Sequence, residues 1–198
     1  MPAVTITELN APAFLIAAPQ LRDPNFHRAV VLLVAHGEDG SLGYVVNRPT
    51  PLSLHDLLEG AELSPSEDLR ESLVGRGGPV APGSGWLIYR RDARTRHLHD
   101  ADDQTIRVND EIAVSSSRLL LEAIARGDGP RTYLLLMGYA GWGSGQLEAE
   151  INTGSWLMID VDAELLFDTP AELRWERALE AFGGEAVFVV GDDEVATA

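Results

Sequence analysis

Tyr133-Leu134-Leu135-Leu136-Met137, then Gly138-Tyr139-Ala140-Gly141-Trp142-Gly143-Ser144-Gly145, then Gln146-Leu147-Glu148-Ala149-Glu150-Ile151: an apolar run of strand length passes through a glycine-rich stretch into a segment of helical period. A strand feeding a tight turn and a helix is a building unit of α/β architecture. Such a junction presents backbone N–H groups to an anion. The same glycines serve equally as a tight strand-to-helix connection that lets Trp142 pack closely. Two familiar motifs are excluded by spacing. Residue 146 is glutamine where the dinucleotide fingerprint needs a third small residue. Ser144 is flanked directly by Gly143 and Gly145, whereas the esterase elbow needs glycines two positions either side.

Outward from this passage, further strand-length runs alternate with fewer helical segments. Phe14 to Ala17 is a first strand, halted by Pro19, and Ala29 to Ala35 is apolar on both faces, as a strand covered on both sides should be. His36 to Ser41 supplies turn chemistry before a strand over Leu42 to Asn47, predicting a hairpin with Gly37 or Gly40 at positive φ. Ser53 caps a helix from Leu54, and Gly60 to Ser72 is a loop with a helical turn. Strands follow at Gly85–Tyr89, Thr105–Val108 and Glu111–Val114. A helix over residues 117–126 carries Leu119, Leu120, Ala123 and Ile124 on one face. After a strand at Trp156–Asp160, Thr169-Pro170-Ala171-Glu172 is the strongest helix start, with Trp175, Ala178, Leu179 and Phe182 as its apolar stripe. No repeat or linker divides the chain. The expectation is one α/β domain on a mixed sheet flanked by helices, with a core from about residue 12 to 185 and a frayed acidic tail at 192–198.

Composition narrows the chemistry. The chain has 198 residues, 31 acidic and 15 basic side chains, a net charge of -16, and no cysteine; every basic residue other than its histidines is arginine. Absence of lysine excludes a Schiff-base amine and a phosphate-binding loop of the lysine type. Absence of cysteine excludes thiolate catalysis, disulfides and cysteine-ligated metal. The negative charge opposes binding to phosphate backbones, and the arginine run Arg90, Arg91, Arg94, Arg96 is followed at once by Asp100, Asp102 and Asp103. Direct nucleic-acid binding is therefore not expected. Nor is a membrane span or a secretory signal, which leaves a cytoplasmic protein as the expectation.

Candidate sites are few. His97-Leu98-His99-Asp100 invites a metal reading, but Ala101 and Asp102 break the pattern, and a solvated hairpin tip explains it more simply. His27, His36 and His55 are scattered, so neither a metal nor a cofactor is read. Glu148 and Glu150 diverge on their helix and cannot act as an acid–base pair, whereas Gln146 and Glu150 share a face. Asn47-Arg48-Pro49, Gly77-Gly78-Pro79-Val80 and the turn Asp23-Pro24-Asn25-Phe26 are placed to line one crevice at strand ends. There Arg48 either meets an anion or closes a buried ion pair with an acid such as Asp23.

Taken together, these passages resemble the YqgE/AlgH family: Phe14 to Ala17 with Pro19, Asp23 to Phe26, Asn47 to Pro49, Gly77 to Val80, and Gly138 to Gly143 continuing through Gly145 to Glu148. Ser116 to Ala125, Trp156-Leu157, and Leu166 to Pro170 with Arg174-Trp175 extend the likeness over nearly the whole chain. The resemblance implies a bacterial α/β protein with a bifurcated, partly closed mixed β-sheet. It also carries a transcriptional-regulator label linked to alginate production and no agreed catalytic residue. The motif positions it transfers are Asn47, Arg48, Gly77, Gly78, Pro79, Gly138, Tyr139, Gly141, Trp142, Gly143, Gly145, Gln146 and Glu148. The expected function is a regulatory or interaction module acting through a protein partner or a small anionic ligand, with a role in transcriptional regulation. The alternative is an enzyme or binder taking an anionic, nucleotide-like molecule at the glycine-rich passage, with Arg48 and Glu148.

Overall fold

The computed structural model describes residues 9–92, 95 and 104–183. The histidines at 97 and 99, the later arginines of the basic run and the acidic tail lie outside these residues. Ten strands are β1 (Ala13–Ala17), β2 (Val30–Gly37), β3 (Gly40–Val45), β4 (Pro49–Ser53), β5 (Leu73–Arg76), β6 (Val80–Arg90), β7 (Thr105–Arg107), β8 (Ile112–Ser115), β9 (Tyr133–Trp142) and β10 (Trp156–Ile159). The helices are α1 (Leu54–Gly60), α2 (Arg118–Ala125), α3 (Gln146–Asn152), α4 (Ala163–Phe167) and α5 (Arg174–Gly183), with a 3-10 turn at Glu67–Glu71.

The main sheet runs in the order β10, β1, β2, β3, β9, β6, β8, β7, and every pairing along it is antiparallel. β9 makes the fork. One of its edges carries β6, while β5 joins it in parallel at Leu136–Met137 and β3 joins at Ala140–Trp142. β4 pairs with β5 and extends the branch. Gly77 bridges the two branches, its N–H donating to the Met137 carbonyl and its own carbonyl accepting from the Val45 N–H, each at 2.7 Å.

The glycine passage departs from the sequence expectation. β9 does not stop at Met137 but continues through Gly138 to Trp142, so the turn shrinks to Gly143–Gly145. Within β9, Gly138 is a strand position where neighbouring backbone comes too close for a side chain, whereas a Cβ on Gly141 would make only ordinary contacts. The helix from Thr169 also starts later, at Arg174. Thr169 is engaged elsewhere: its hydroxyl donates to the Glu164 carbonyl in the first turn of α4, and its carbonyl accepts from Arg174 Nε. On α2 the buried face is Leu120, Ala123, Ile124 and Ala125, and Leu119 is exposed.

β1 and β2 are covered on both faces, as their unbroken apolar runs require. Phe14, Ile16, Val30 and Leu32 pack with Leu166, Trp175 and Ala178 of α4 and α5. Leu15, Ala17, Val31 and Leu33 face Leu147 and Ile151 of α3 with Trp142 and Trp156. A third cluster sets Leu54 and Leu58 of α1 and Leu120 and Ile124 of α2 against Val74, Leu87 and Leu135. Each fully buried side chain of this size contributes about 1.5–3 kcal/mol.

Tyr44 is wholly buried against Trp86, and its hydroxyl has no hydrogen-bond partner among the described residues. An unpartnered buried hydroxyl costs more than it contributes, so Tyr44→Phe is expected to stabilise the protein by about 1 kcal/mol in urea denaturation. Burial also raises the Tyr44, Tyr133 and Tyr89 hydroxyls above the ordinary tyrosine value, Tyr89 to about 12. The folded state keeps protons that the unfolded chain releases. Stability should therefore be complete below about pH 10 and fall as pH rises through the folded values. Tyr44→Phe should flatten that fall; an unchanged alkaline slope would assign it to other groups.

Candidate functional site

The sheet's branch point shapes a crevice of about 30 Å³ lined by Pro24, Asn25, Val45, Arg48, Arg76, Gly78 and Pro79. Three of the motif loops converge there, as their sequence reading anticipates. Arg48 follows the end of β3 and Arg76 ends β5, and they are held in register by the Arg76 N–H donating to the Arg48 carbonyl at 2.7 Å. Arg76 was not singled out by sequence, because only the β4–β5 pairing brings it beside Arg48. Its one readable signal is adjacency to Gly77.

Each guanidinium donates to a neutral oxygen. Arg48 Nη2 donates to the His27 carbonyl, and Arg76 Nη2 to Asn25 Oδ1 at 3.0 Å. Asp23 is not the partner of Arg48: its carboxylate accepts from the Asn25 N–H at 2.8 Å and closes the turn on itself. No carboxylate among the described residues lies within salt-bridge distance of Arg48 or Arg76. Burial, and then the neighbouring positive charge of Arg76, lowers the Arg48 pKa. Two neighbouring cations with no counter-charge among the described residues repel, and an anion held by both would relieve that repulsion.

The remaining motif residues build the frame rather than the crevice wall. Asn47 is buried and fully engaged: Oδ1 accepts from the Val30 N–H and Nδ2 donates to the Arg28 carbonyl, both at 2.9 Å. This brace holds Arg28 at φ 54 with its guanidinium 4.7 Å from the Trp175 ring centroid. A Cβ on Gly77 would lie 2.3 Å from the Gly138 carbonyl oxygen, and one on Gly78 2.1 Å from the Tyr139 carbonyl carbon. Pro79 is exposed at the lip.

Gly141, Trp142, Gly143, Gly145, Gln146 and Glu148 do not line this crevice. Gly141 pairs with Leu42 inside the sheet, and the Gly143 N–H donates to Gln146 Oε1 at 3.1 Å. Gly145 caps α3 at φ 71. The polar centre here is Glu150, which sequence reading placed on the face of Gln146 without a role. Its Oε2 accepts from the indole N–H of Trp142 at 3.0 Å and of Trp156 at 2.8 Å, and its Oε1 from Gln146 Nε2 at 2.9 Å. Phe26 stacks on Trp142 and meets Trp156 edge-on.

Glu148 faces His36 at 3.7 Å, and the other imidazole nitrogen of His36 is 2.8 Å from Ser41 Oγ. An acid, an imidazole and a hydroxyl in this order are the members of a nucleophilic relay, which also needs donors for an oxyanion. The Gly143 amide, the motif's natural donor, is already bonded to Gln146. The trio ties the β2–β3 hairpin to α3.

A larger cavity of about 870 Å³ lies between β10 and α5, lined by Asp160, Asp162 and Glu164 with Arg177 and Phe182. Three carboxylates against one arginine make it unfit for an anion. The described part of the arginine run is also committed: Arg90 binds Asp168 and the Ala163 carbonyl, and Arg91 the carbonyls of Asn109 and Asp110. No helix among the described residues is long and apolar enough to cross a membrane.

With this geometry in place, comparisons with known proteins agree on one relationship. The family model described as AlgH-like matches residues 14–187. A UPF0301 protein of Anaeromyxobacter dehalogenans is 40% identical over 191 residues, covering 91% of this chain and 92% of the relative. One from Xanthomonas campestris is 44% identical over 170 residues, covering 85% and 87%. The solution structure of the AlgH protein from Pseudomonas aeruginosa is 36% identical, covers 89% of this chain and 93% of its own, and superposes with a TM-score of 0.73. A crystal structure from Corynebacterium diphtheriae, 19% identical with a TM-score of 0.69 and covering 88% and 87%, shares the fold alone.

Proposed function

The chain belongs to the AlgH-like family, and from that premise we propose that it is a cytoplasmic regulatory module, not a catalyst, governed by a small anionic group bound between Arg48 and Arg76. The observation that carries this reading is a pair of arginines lining one crevice without a carboxylate partner among the described residues, in a protein of net charge -16. Acids are abundant, yet this pair is kept clear of them. A site of about 30 Å³ has room for one carboxylate or phosphoryl group, since about 10–15 Å³ of such space holds a water. It would therefore hold the charged end of a metabolite or of a partner's side chain, not an entire nucleotide.

Binding there has a route to a partner surface. An anion between the two arginines draws the Asp23–His27 turn, through Asn25 and His27, onto the β4–β5 branch. The outer face of that turn and the Pro79 lip change together. Any influence on transcription would pass through a protein partner, because the overall charge and the engaged Arg90 and Arg91 oppose contact with DNA.

Titration with inorganic phosphate, followed by thermal shift and calorimetry at constant ionic strength, tests the proposal. Saturable stabilisation is expected, weakened by salt. Arg76→Ala, at an exposed side chain, should lower affinity by about tenfold or more, the loss of one charge-assisted contact. Equal phosphate affinity in Arg76→Ala and the parent, or identical stabilisation by phosphate and chloride, would overturn it.

A further inference from the structure

We propose that His55, Asp56 and Glu59 of α1 form a binding site for a first-row transition-metal dication of the Zn²⁺ type, separate from the arginine crevice. The Ser53 hydroxyl accepts the Asp56 N–H at 3.0 Å and fixes the start of the helix. Leu54 and Leu58 then turn into the core, and His55 and Glu59, four residues apart, share a face with Asp56 beside them. His55 Nδ1 lies 3.6 Å from Asp56 Oδ1 and 3.7 Å from Glu59 Oε2. The three ligand atoms all fall within 4.8 Å of one another, so one ion could sit about 2.0–2.2 Å from each after small side-chain adjustments.

The second observation is the state of the imidazole. Its side chain is only 3% exposed, and Nδ1 is buried without a hydrogen-bond partner among the described residues. A buried ring nitrogen left unmatched is costly, and a bound cation would satisfy it. On the opposite side, Nε2 faces Glu67 Oε1 at 3.7 Å. An ion bound at Nδ1 would place the ring N–H on Nε2, where the Glu67 carboxylate stands to orient it. Carboxylate, imidazole and metal in that order is how protein metal sites orient their histidines.

Charge and ligand type choose the ion. Two carboxylates and a neutral imidazole balance a dication, and the nitrogen ligand favours zinc, nickel, cobalt or copper over magnesium or calcium. The carboxylates are more than half exposed, which leaves the ion's remaining positions to water. Arg70 is the built-in competitor: its Nη1 lies 3.6 Å from Asp56 Oδ1 while its Nε holds Glu67. The ion must displace the contact to Asp56.

Titration of the full chain with Zn²⁺ alone, against a chromophoric chelator, reads the site. One equivalent should bind, and Asp56→Asn with Glu59→Gln should weaken it by about 100-fold or more. Both side chains are surface-exposed, so the fold of that double variant is kept, and far-UV circular dichroism verifies it. Arg70→Ala should tighten binding several-fold by removing the competing cation. Cu²⁺ added in place of Zn²⁺ should show coupling to one imidazole nitrogen by electron paramagnetic resonance. A His97→Ala/His99→Ala variant should bind as the parent does. Absence of Zn²⁺ binding, or affinity unchanged in the Asp56/Glu59 variant, or loss in the His97/His99 variant alone, would overturn the site.

Discussion

Gly78→Ala is expected to remove about 3–5 kcal/mol of stability, a large share of what a domain of this size has. A Cβ there would lie 2.1 Å from the Tyr139 carbonyl carbon, 2.2 Å from its oxygen and 2.5 Å from the Ala140 nitrogen. All three are backbone atoms of β9, and no flexible side chain can yield in their place. Tyr139 is paired with Val80 of β6, and Ala140 with Gly43 of β3. Moving them enough to admit a methyl group breaks both arms of the fork. Gly83 is the control: nothing lies within 4 Å of its Cβ position and its φ is not in the left-handed region, so Gly83→Ala should be neutral or slightly stabilising. Urea denaturation of the two variants side by side decides the matter. A Gly78→Ala midpoint close to that of Gly83→Ala would mean that β9 is far more pliable than its pairings imply.

The same contact explains which parts of the fold were legible in sequence. Phe14–Ala17, Ala29–Ala35 and Tyr133–Met137 announce themselves because a strand covered on both faces must be apolar throughout. β4, with Pro49 and Pro51, and β5, with Gly75, carry no such pattern. They are strands because they pair with each other and with β9, a tertiary cause that local composition does not encode. Gly138 misled in the other direction. Glycine is a poor strand residue, so the passage reads as a loop. In the fold, Gly138 sits at φ 73 inside β9, with its Cβ position 2.6 Å from the Gly78 carbonyl. Sequence marks both glycine stretches as special and cannot say that they are special because they touch.

The candidate site divides along the same line. Arg48 is readable, since Pro49 sets it in an extended conformation at the end of a strand. That Asn47 beside it is a brace and not a ligand group is settled only by where Val30 and Arg28 come to rest. His55 shows the opposite failure. Asp56 and Glu59 were adjacent to it in sequence all along, but an isolated histidine on a short helix gains meaning only when its Nδ1 is seen to be buried and unmatched.

Glu150→Ala is expected to cost about 2–4 kcal/mol, from three hydrogen bonds to one partly buried carboxylate. Its loss leaves the indole N–H groups of Trp142 and Trp156 without an acceptor, and both indoles are at least nine-tenths buried. Glu148, two residues earlier on the same helix, has one distant partner in His36, so Glu148→Gln should stay within about 0.5 kcal/mol of the parent. The two acids are alike in sequence and separate in consequence. The damage should also travel. Phe26 rests on both tryptophans, and the next residue, His27, supplies the carbonyl that Arg48 grips. A loosened indole pair frees that turn and should weaken phosphate binding in the crevice, although Glu150 does not line it. Near-UV circular dichroism would report the tryptophans, urea denaturation the stability, and phosphate titration the coupling. If Glu150→Ala lost stability yet kept full phosphate affinity, the aromatic cluster would be a local prop, and the Asp23–His27 turn would owe its position to Asn47 and Arg48 alone.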